Sequence, residues 1–259
     1  DHPERPGHLP DGSPGGSSNG LMNPPPSLER HRSVAVPDGY EARGTSRARA
    51  IVWRDASDWF DAVLAAGATL HSWAATQDDH VEFSGRGRVF SVPAPAEGPD
   101  EAKRWAVRHF HRGGAMALMG DRYVRVGRAR PYRELSASMT ARARGIDTPA
   151  VVCAAVYPDG LYYRADLVTE VVAQACTLAD TLLEHDGTRG WLVAMARAGS
   201  LIRQLAEAGV YHVDLNARNI LLTSDPDPRT WVIDLDRARI LEKSSPSSIE
   251  KMQVRLTRS

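Results

Sequence analysis

The chain is poor in cysteine, has no long apolar run and carries no excess of either charge. Its 259 residues include two cysteines, Cys153 and Cys176, whose spacing matches neither a metal site nor a disulfide scaffold. Each has apolar neighbours, so we expect both to be small buried core residues. No apolar run approaches the roughly 18 residues of a membrane span. A formal net charge of zero gives no bulk attraction to nucleic acid, so no nucleic-acid partner is expected.

The first 45 residues differ in composition from the rest of the chain. They are rich in proline, glycine and serine, and they bury too little apolar surface to offset the entropy of ordering. We therefore expect residues 1–45 to be disordered or a linker. Residues 46–259 are long enough for one domain with a sizeable core. No secretory signal is recognisable, which favours a cytoplasmic location.

A catalytic-loop pattern occupies residues 210–219 and is followed by an apolar run that ends in Asp234. It reads His-x-Asp-Leu-x-x-x-x-Asn, with His212, Asp214 and Asn219 at the defined positions. Phosphoryl transfer from ATP needs one carboxylate as the base, and an amide oxygen with a second carboxylate to hold Mg²⁺. We therefore predict Asp214 as the base, Asn219 and Asp234 as metal ligands, and ATP and Mg²⁺ as the cofactors. The alternative is that these are ordinary turn and loop residues.

A strand, a glycine loop and a second strand precede this pattern, over residues 80–92. Gly85 and Gly87 lie in the loop, where the lack of side chains lets backbone N–H groups approach a phosphate closely. The order of these elements, upstream of the catalytic loop, favours contact with the nucleotide. A plain hairpin turn is the competing interpretation.

A third strand, at residues 103–110, places Ala106 and Arg108 on one face because strand side chains alternate. This matches the Ala-x-Lys of the third kinase strand, with Arg108 at the lysine position, and an arginine can also pair with phosphates. A helix predicted at residues 129–144 carries Glu134. We predict a catalytic ion pair between Arg108 and Glu134. The alternatives are a solvated arginine and an exposed helix glutamate.

The exit of the next hairpin, at residues 165–168, falls where a kinase chain crosses between its lobes. We expect Asp166 and Leu167 to offer backbone groups to adenine there. Two helices are predicted next, at about 169–185 and 189–208, and the second leads into the catalytic loop. We call residues 232–236 the predicted metal-binding segment. No helix is predicted after it, so the helical lobe is either minimal or truncated.

The region between the third strand and the end of the first long helix is strongly basic. Residues 103–144 hold eleven lysines and arginines against two acidic residues. A solvated basic face is the ordinary explanation, and an anionic substrate or an anionic lipid surface is the more specific one. The candidates for contact with such an anionic substrate or surface are Arg112, Arg122, Arg125 and Arg128.

Several of these segments together resemble the lipopolysaccharide kinases. The main ones are Arg-His-Phe-His-Arg-Gly-Gly at 108–114, the catalytic loop at 212–221, and residues 233–239. The shorter similar runs are 120–123, 164–167 and 255–259. The likeness covers about residues 80–259. Asp-Leu-Asp in place of Asp-Phe-Gly argues against a protein kinase.

The resemblance implies an α+β, protein-kinase-like fold with two lobes. The small β-rich N-lobe is expected at about 46–165 and the helical C-lobe at about 166–259. The implied activity is ATP-dependent phosphorylation of a 3-deoxy-D-manno-octulosonic acid (Kdo) hydroxyl. The acceptor would be an anionic, lipid-linked Kdo–lipid A precursor, met by a peripheral protein at the cytoplasmic face of the bacterial inner membrane.

Four predicted residues occupy positions of the family's motifs: Asp214, Asn219, Asp234 and Arg108. Asp236 and Arg112 are typical of the family but receive no role from the resemblance. One competing function is transfer to another small molecule, such as a heptose. The other is a catalytically silent pseudokinase that binds at the membrane. The oligomeric state is left open.

Overall fold

The structure is a computed structural model that describes most of the chain after residue 34. The described residues are 35–83, 88–111, 122–124, 127–185, 187, 189–224, 228–242 and 246–258. The predictions that lie outside them concern residues 1–34, Gly85, Gly87, Arg112 and Arg125. The predicted N-terminal boundary at residue 45 is too late, because the first strand already begins at Tyr40 and pairs with the second.

An antiparallel sheet of eight strands dominates the N-lobe. Its strands are β1 (Tyr40–Gly44), β2 (Arg49–Trp53), β3 (Val81–Phe83), β4 (Val89–Pro93), β5 (Arg104–His109), β6 (Tyr123–Val124), β7 (Val151–Asp159) and β8 (Tyr162–Glu170). They lie in the order β1-β2-β7-β8-β5-β4-β3, with β6 paired to β8. Strand β5, which carries Arg108, therefore lies between β8 and the β3-β4 hairpin that flanks the predicted glycine loop.

Helices cover both faces of this sheet. They are α1 (Ser57–Ala65), α2 (Leu70–Ala74) and α3 (Arg130–Ala143). Phe60 of α1 shares one core cluster with Val168 of β8, whereas Leu135 of α3 shares a second cluster with the neighbouring Leu167. Consecutive strand residues point to opposite faces, so the middle of β8, residues 165–168, is buried on both sides of the sheet.

The α3 helix agrees with the helix predicted at 129–144. Pro131 lies in its first turn, where a missing backbone N–H costs nothing. Gly145 follows the last turn with a φ of 77°, a left-handed conformation that suits glycine. The helix turns Glu134, Leu135 and Ser138 towards the sheet, and all three are buried.

The crossing between the lobes lies later than predicted. Strand β8 continues to Glu170, so residues 165–168 lie within the sheet and not at its exit. The helix predicted at 169–185 is wrong in its first half, which instead forms the end of β8, the connection 171–174 and a short strand β9 (Ala175–Thr177). The helix α4 (Leu178–Glu184) begins where the Thr177 side chain accepts a hydrogen bond from the Asp180 backbone N–H.

The C-lobe is helical, with short strands that carry the site. Its remaining elements are α5 (Arg189–Glu207), β10 (Val210–Tyr211), β11 (Ile220–Thr223), β12 (Thr230–Val232), β13 (Arg239–Ile240) and α6 (Pro246–Leu256). The predicted second helix corresponds to α5. The expectation of no later helix is wrong, because α6 packs on the α5 core cluster through Met252 and Leu256. The predicted α+β, two-lobed fold is confirmed.

The two cysteines differ in burial. Cys153 is fully buried, as predicted, but Cys176 is exposed on the short strand β9, so the prediction for Cys176 is wrong. Among the described residues, no helix is both long and apolar enough to cross a membrane.

Candidate active site

His212 holds the catalytic loop in place through two hydrogen bonds to the backbone. Its Nε2 lies 3.0 Å from the carbonyl oxygen of Ile233, and its Nδ1 lies 3.3 Å from the backbone nitrogen of Asp214. Because the Asp214 N–H can only donate, Nδ1 must accept and Nε2 must carry the proton. Burial lowers the pKa of His212 and favours this neutral form. The histidine thus joins the catalytic loop to the metal-binding segment.

Two asparagines fix the loop by bonding to one carbonyl group. The side-chain amides of Asn216 and Asn219 donate to the Asp214 carbonyl oxygen over 2.9 and 3.2 Å. The Asn219 carbonyl accepts from the Ile233 N–H at 3.0 Å, which brings Asn219 beside Asp234. Since Nδ2 of Asn219 is used for this anchoring, its Oδ1 is the atom left for a metal ion.

Asp234 has a left-handed backbone, with φ 64° and ψ 53°. A non-glycine residue pays of the order of 1 kcal/mol or more for such a conformation, which is tolerated mainly where function requires it. Burial opposes ionisation of its carboxyl group, but Arg108 outweighs burial and holds the pKa below its ordinary value. The carboxylate is therefore charged at neutral pH, as a metal ligand must be.

The donor set fits Mg²⁺. Asn219 supplies an amide oxygen and Asp234 a carboxylate, both hard oxygen ligands. Within the part of the chain that the structure describes, no group of three or more His, Cys, Asp or Glu side chains could hold a metal. Mg²⁺ in nucleotide sites commonly uses one or two protein ligands and completes its shell with phosphates and water. Asn219 and Asp234 together offer that number of oxygen ligands.

Arg108 links the N-lobe to the metal-binding segment. It forms an ion pair with Glu134 of α3, donates to Asp234 Oδ1 at 2.7 Å, and lies over the Phe110 ring at 4.7 Å. Burial raises the pKa of the Glu134 carboxyl group to about 8, although the positive charge of Arg108 opposes the rise. Arg108 stays protonated because the acidic groups around it, Asp234, Asp236 and Glu134 when ionised, outweigh the cost of burying its charge. The predicted Arg108–Glu134 contact is present, while its catalytic role stays a prediction.

A second ion pair, missed by the sequence reasoning, joins the same elements. Asp236, 4% exposed, pairs with Arg130 at the start of α3. Arg130 also donates to Tyr123 Oη at 2.8 Å and lies over the Phe110 ring at 5.1 Å. Asp236 is therefore held by Arg130 of α3, whereas the role of Asp234 as a metal ligand stays a prediction. The paired residues are 106 positions apart, so no local pattern could have revealed the contact.

The two residues predicted to meet adenine have different positions. Leu167 lines the cleft between the lobes, on the same face as Ala106 and Arg108. Asp166 is fully buried on the other face, where it accepts hydrogen bonds from the His71 backbone at 2.9 Å and the Tyr157 hydroxyl at 3.0 Å. Its backbone pairs with β5 and β7 inside the sheet, so the predicted contact of this backbone with adenine is wrong. The cleft-side crossing is formed by residues 171–172.

Of the arginines expected to contact an anion, the two that the structure describes, Arg122 and Arg128, do not contact the predicted base. Arg122 is paired with Asp159 at 2.9 Å, outside the cleft that contains the catalytic loop, and Arg128 borders a separate, smaller cavity. The Asp214 carboxylate instead contacts two arginines of the C-lobe. These are Arg237, whose Nη1 donates to Oδ2 at 2.6 Å, and Arg255 of α6, at 3.9 Å from Oδ1.

A β-rich lobe that supplies Arg108 meets a helical lobe that supplies Asp214, Asn219 and Asp234. This arrangement defines a kinase-like protein. A sequence profile described as the "Lipopolysaccharide kinase (Kdo/WaaP) family" matches residues 71–256. The chain belongs to the lipopolysaccharide kinase (Kdo/WaaP) family, and the predicted resemblance is confirmed.

Curated relatives carry a name from the same family. The 3-deoxy-D-manno-octulosonic acid kinase of Vibrio parahaemolyticus is 30% identical over 72% of this chain and 78% of its own length. The protein of that name from Vibrio cholerae is 34% identical over 52% of this chain and 57% of its own. A solved structure, "WaaP in complex with acyl carrier protein", is 19% identical over 78% of each chain, with a TM-score of 0.47.

Proposed function

We propose that the chain transfers the γ-phosphoryl group of ATP to a hydroxyl of a Kdo sugar in lipopolysaccharide biosynthesis. The observation that carries the proposal is the convergence of Asp214, Asn219 and Asp234 on one cleft, opposite Arg108. Family membership and the names of the curated relatives support the acceptor.

Each side chain has a defined task in this reaction. Asp214 orients the acceptor hydroxyl and takes its proton as the oxygen attacks phosphorus. Asn219 and Asp234 would hold Mg²⁺, which supplies charge neutralisation at the phosphates when it is bound. Arg108, which Glu134 positions, would supply positive charge to the phosphates. This division leaves the C-lobe side of Asp214 for the acceptor.

The proposed acceptor is a Kdo-bearing lipid A precursor, met at the cytoplasmic face of the inner membrane. Such a substrate is anionic and lipid-linked. We propose that the membrane contact is peripheral and electrostatic, made by basic side chains with anionic lipid head groups. Binding to anionic vesicles should then weaken as salt is added, because salt screens exposed charges.

The test is transfer of labelled γ-phosphate from Mg-ATP to the lipid A precursor with and without Kdo. We expect label on the Kdo-bearing precursor alone. Label on neither precursor, under conditions in which ATP binds, would contradict the proposed function. A variant with Asp214→Asn serves as the control, because it keeps the size of the side chain and removes its basicity.

A further inference from the structure

A group of cations surrounds the predicted base on its C-lobe side. Arg237 and Arg255 both contact the Asp214 carboxylate, at 2.6 and 3.9 Å. Arg218 of the catalytic loop and Lys251 of α6 line the same cleft. Within the described residues, neither side chain has a salt-bridge partner. We call these four residues the C-lobe basic cluster.

The amphipathic character of α6 explains why this cluster faces the cleft. Met252 and Leu256, four residues apart, are buried against the α5 core. Lys251 and Arg255, also four residues apart, form a second stripe that stays exposed and borders the cleft. The buried stripe therefore fixes the helix in the orientation that presents Arg255 to Asp214.

The four cations of the cluster are only partly paired. Arg237 and Arg255 contact Asp214, whereas Arg218 and Lys251 have no salt-bridge partner among the described residues. Oδ2 of Asp214 already accepts a hydrogen bond from Arg237, so it has fewer lone-pair sites left for the acceptor hydroxyl than Oδ1 has. The site is thus suited to an incoming anion that takes over Arg237 and frees Asp214 Oδ2.

Arg255 reaches Asp214 from a different element than the residues predicted to hold the nucleotide. Arg108 lies on β5 and the predicted metal ligands lie in the catalytic loop and after β12, whereas Arg255 comes from α6. A base must lie within hydrogen-bonding reach of the hydroxyl that it deprotonates. Side chains that contact the base, as Arg237 and Arg255 do, therefore also lie near the proposed acceptor.

We infer that Arg237 and Arg255 form a carboxylate-binding subsite for the acceptor sugar. The inference rests on the proposed function, and the acceptor in the names of the relatives is an acid. Guanidinium groups match a carboxylate by paired, charge-assisted hydrogen bonds. When the acid binds, its carboxylate replaces that of Asp214 on Arg237, and the base is released next to the hydroxyl.

The experiment compares two acceptors with four proteins. The acceptors are the Kdo-bearing lipid A precursor with a free Kdo carboxylate and the same molecule as its methyl ester. The proteins are wild type, Arg237→Gln, Arg255→Gln and the matched control Arg203→Gln. Arg203 is exposed on α5 and lies outside the cleft, so its replacement removes one charge without touching the site.

We expect wild type and Arg203→Gln to use the ester with a kcat/KM roughly tenfold or more below that of the acid. Arg237→Gln and Arg255→Gln should lose activity on the acid and discriminate little between the two acceptors. The KM for Mg-ATP should change much less than the KM for the acid. Arg237→Lys, which keeps the charge and loses the planar fork, should be intermediate.

Three results would overturn the inference in distinguishable ways. Equal use of acid and ester by wild type would exclude the subsite and leave the proposed function intact. If the arginine variants lose equal activity on the acid and on the ester, Arg237 and Arg255 act only through Asp214 and do not bind the acceptor carboxylate. An arginine dependence that vanishes with an acceptor lacking the lipid A phosphates would identify phosphate as the bound anion. No transfer to either acceptor would refute the proposed function itself.

Discussion

The Arg130–Asp236 pair should hold α3 against the metal-binding segment, and Asp236→Asn tests this. Asp236 is almost completely buried, whereas 24% of the Arg130 side chain is exposed. Breaking a fully buried pair costs about 3–5 kcal/mol. Because Arg130 keeps the Tyr123 hydroxyl and the Phe110 ring as partners, we reduce the expected loss of unfolding free energy to about 1–3 kcal/mol.

The same change should affect catalysis through the neighbouring pair. Glu134 lies on α3 and Asp234 on the segment to which α3 is attached, so a shift between them loosens the position of Arg108. We expect a higher KM for Mg-ATP and a lower kcat. Urea unfolding and steady-state kinetics measure the two effects separately.

A matched surface pair provides the control. Asp61 pairs with Arg43 at 3.2 Å, and 48% of the Asp61 side chain is exposed. Exposed pairs of this kind contribute about 0–1 kcal/mol, so Asp61→Asn should change little. An Asp236→Asn protein that matched Asp61→Asn in unfolding free energy and in KM for Mg-ATP would refute the reasoning.

Three further changes have distinct expected outcomes. Asp234→Asn should raise the Mg²⁺ concentration needed for half-maximal rate and reduce kcat at least a hundredfold, because a charged ligand is lost. For Glu134, kcat/KM should rise with pH through about 8 as the carboxyl group ionises and secures Arg108, and Glu134→Gln should lack this rise. The native state binds the Glu134 proton more tightly than the unfolded chain does. The contribution of Glu134 to the free energy of unfolding therefore falls as the pH rises towards 8. Asp166→Asn should cost about 1–3 kcal/mol of stability and leave the KM for ATP unchanged, since Asp166 serves the N-lobe core.

Each of these outcomes can fail in a specific way. An unchanged metal requirement in Asp234→Asn would remove that residue from the metal site. A pH profile of Glu134→Gln that keeps the rise near pH 8 would assign the ionisation to another group. A raised KM for ATP in the fully folded Asp166→Asn protein would restore the nucleotide role that its burial argues against.

The predictions that agree with the structure rest on short-range patterns. His212, Asp214 and Asn219 lie within one loop, so their spacing alone brings them to one place. Alternation on β5 was sufficient to place Arg108 with Ala106 on the cleft face. The chain order of strand and helix then indicated Glu134 as its partner.

The errors arise where tertiary contacts override the local pattern. Residues 169–177 read as part of an apolar helix, but pairing with β5 and β11 holds them in strands. The left-handed Gln174, with φ 53°, separates those strands and cannot continue a helix. The α6 helix was missed because its apolar stripe is short and lies among serines and charges. Its core contacts with α5, distant in sequence, stabilise it.

The central claim is that Asp214 delivers the acceptor hydroxyl of a Kdo sugar to the γ-phosphate of ATP. The most direct test measures single-turnover transfer of labelled phosphate to the Kdo-bearing precursor by wild type and by Asp214→Asn, each first saturated with Mg-ATP. We predict that the variant binds Mg-ATP normally and transfers at least about a hundredfold more slowly, the usual contribution of a positioned base. Transfer at the wild-type rate by Asp214→Asn would contradict the account.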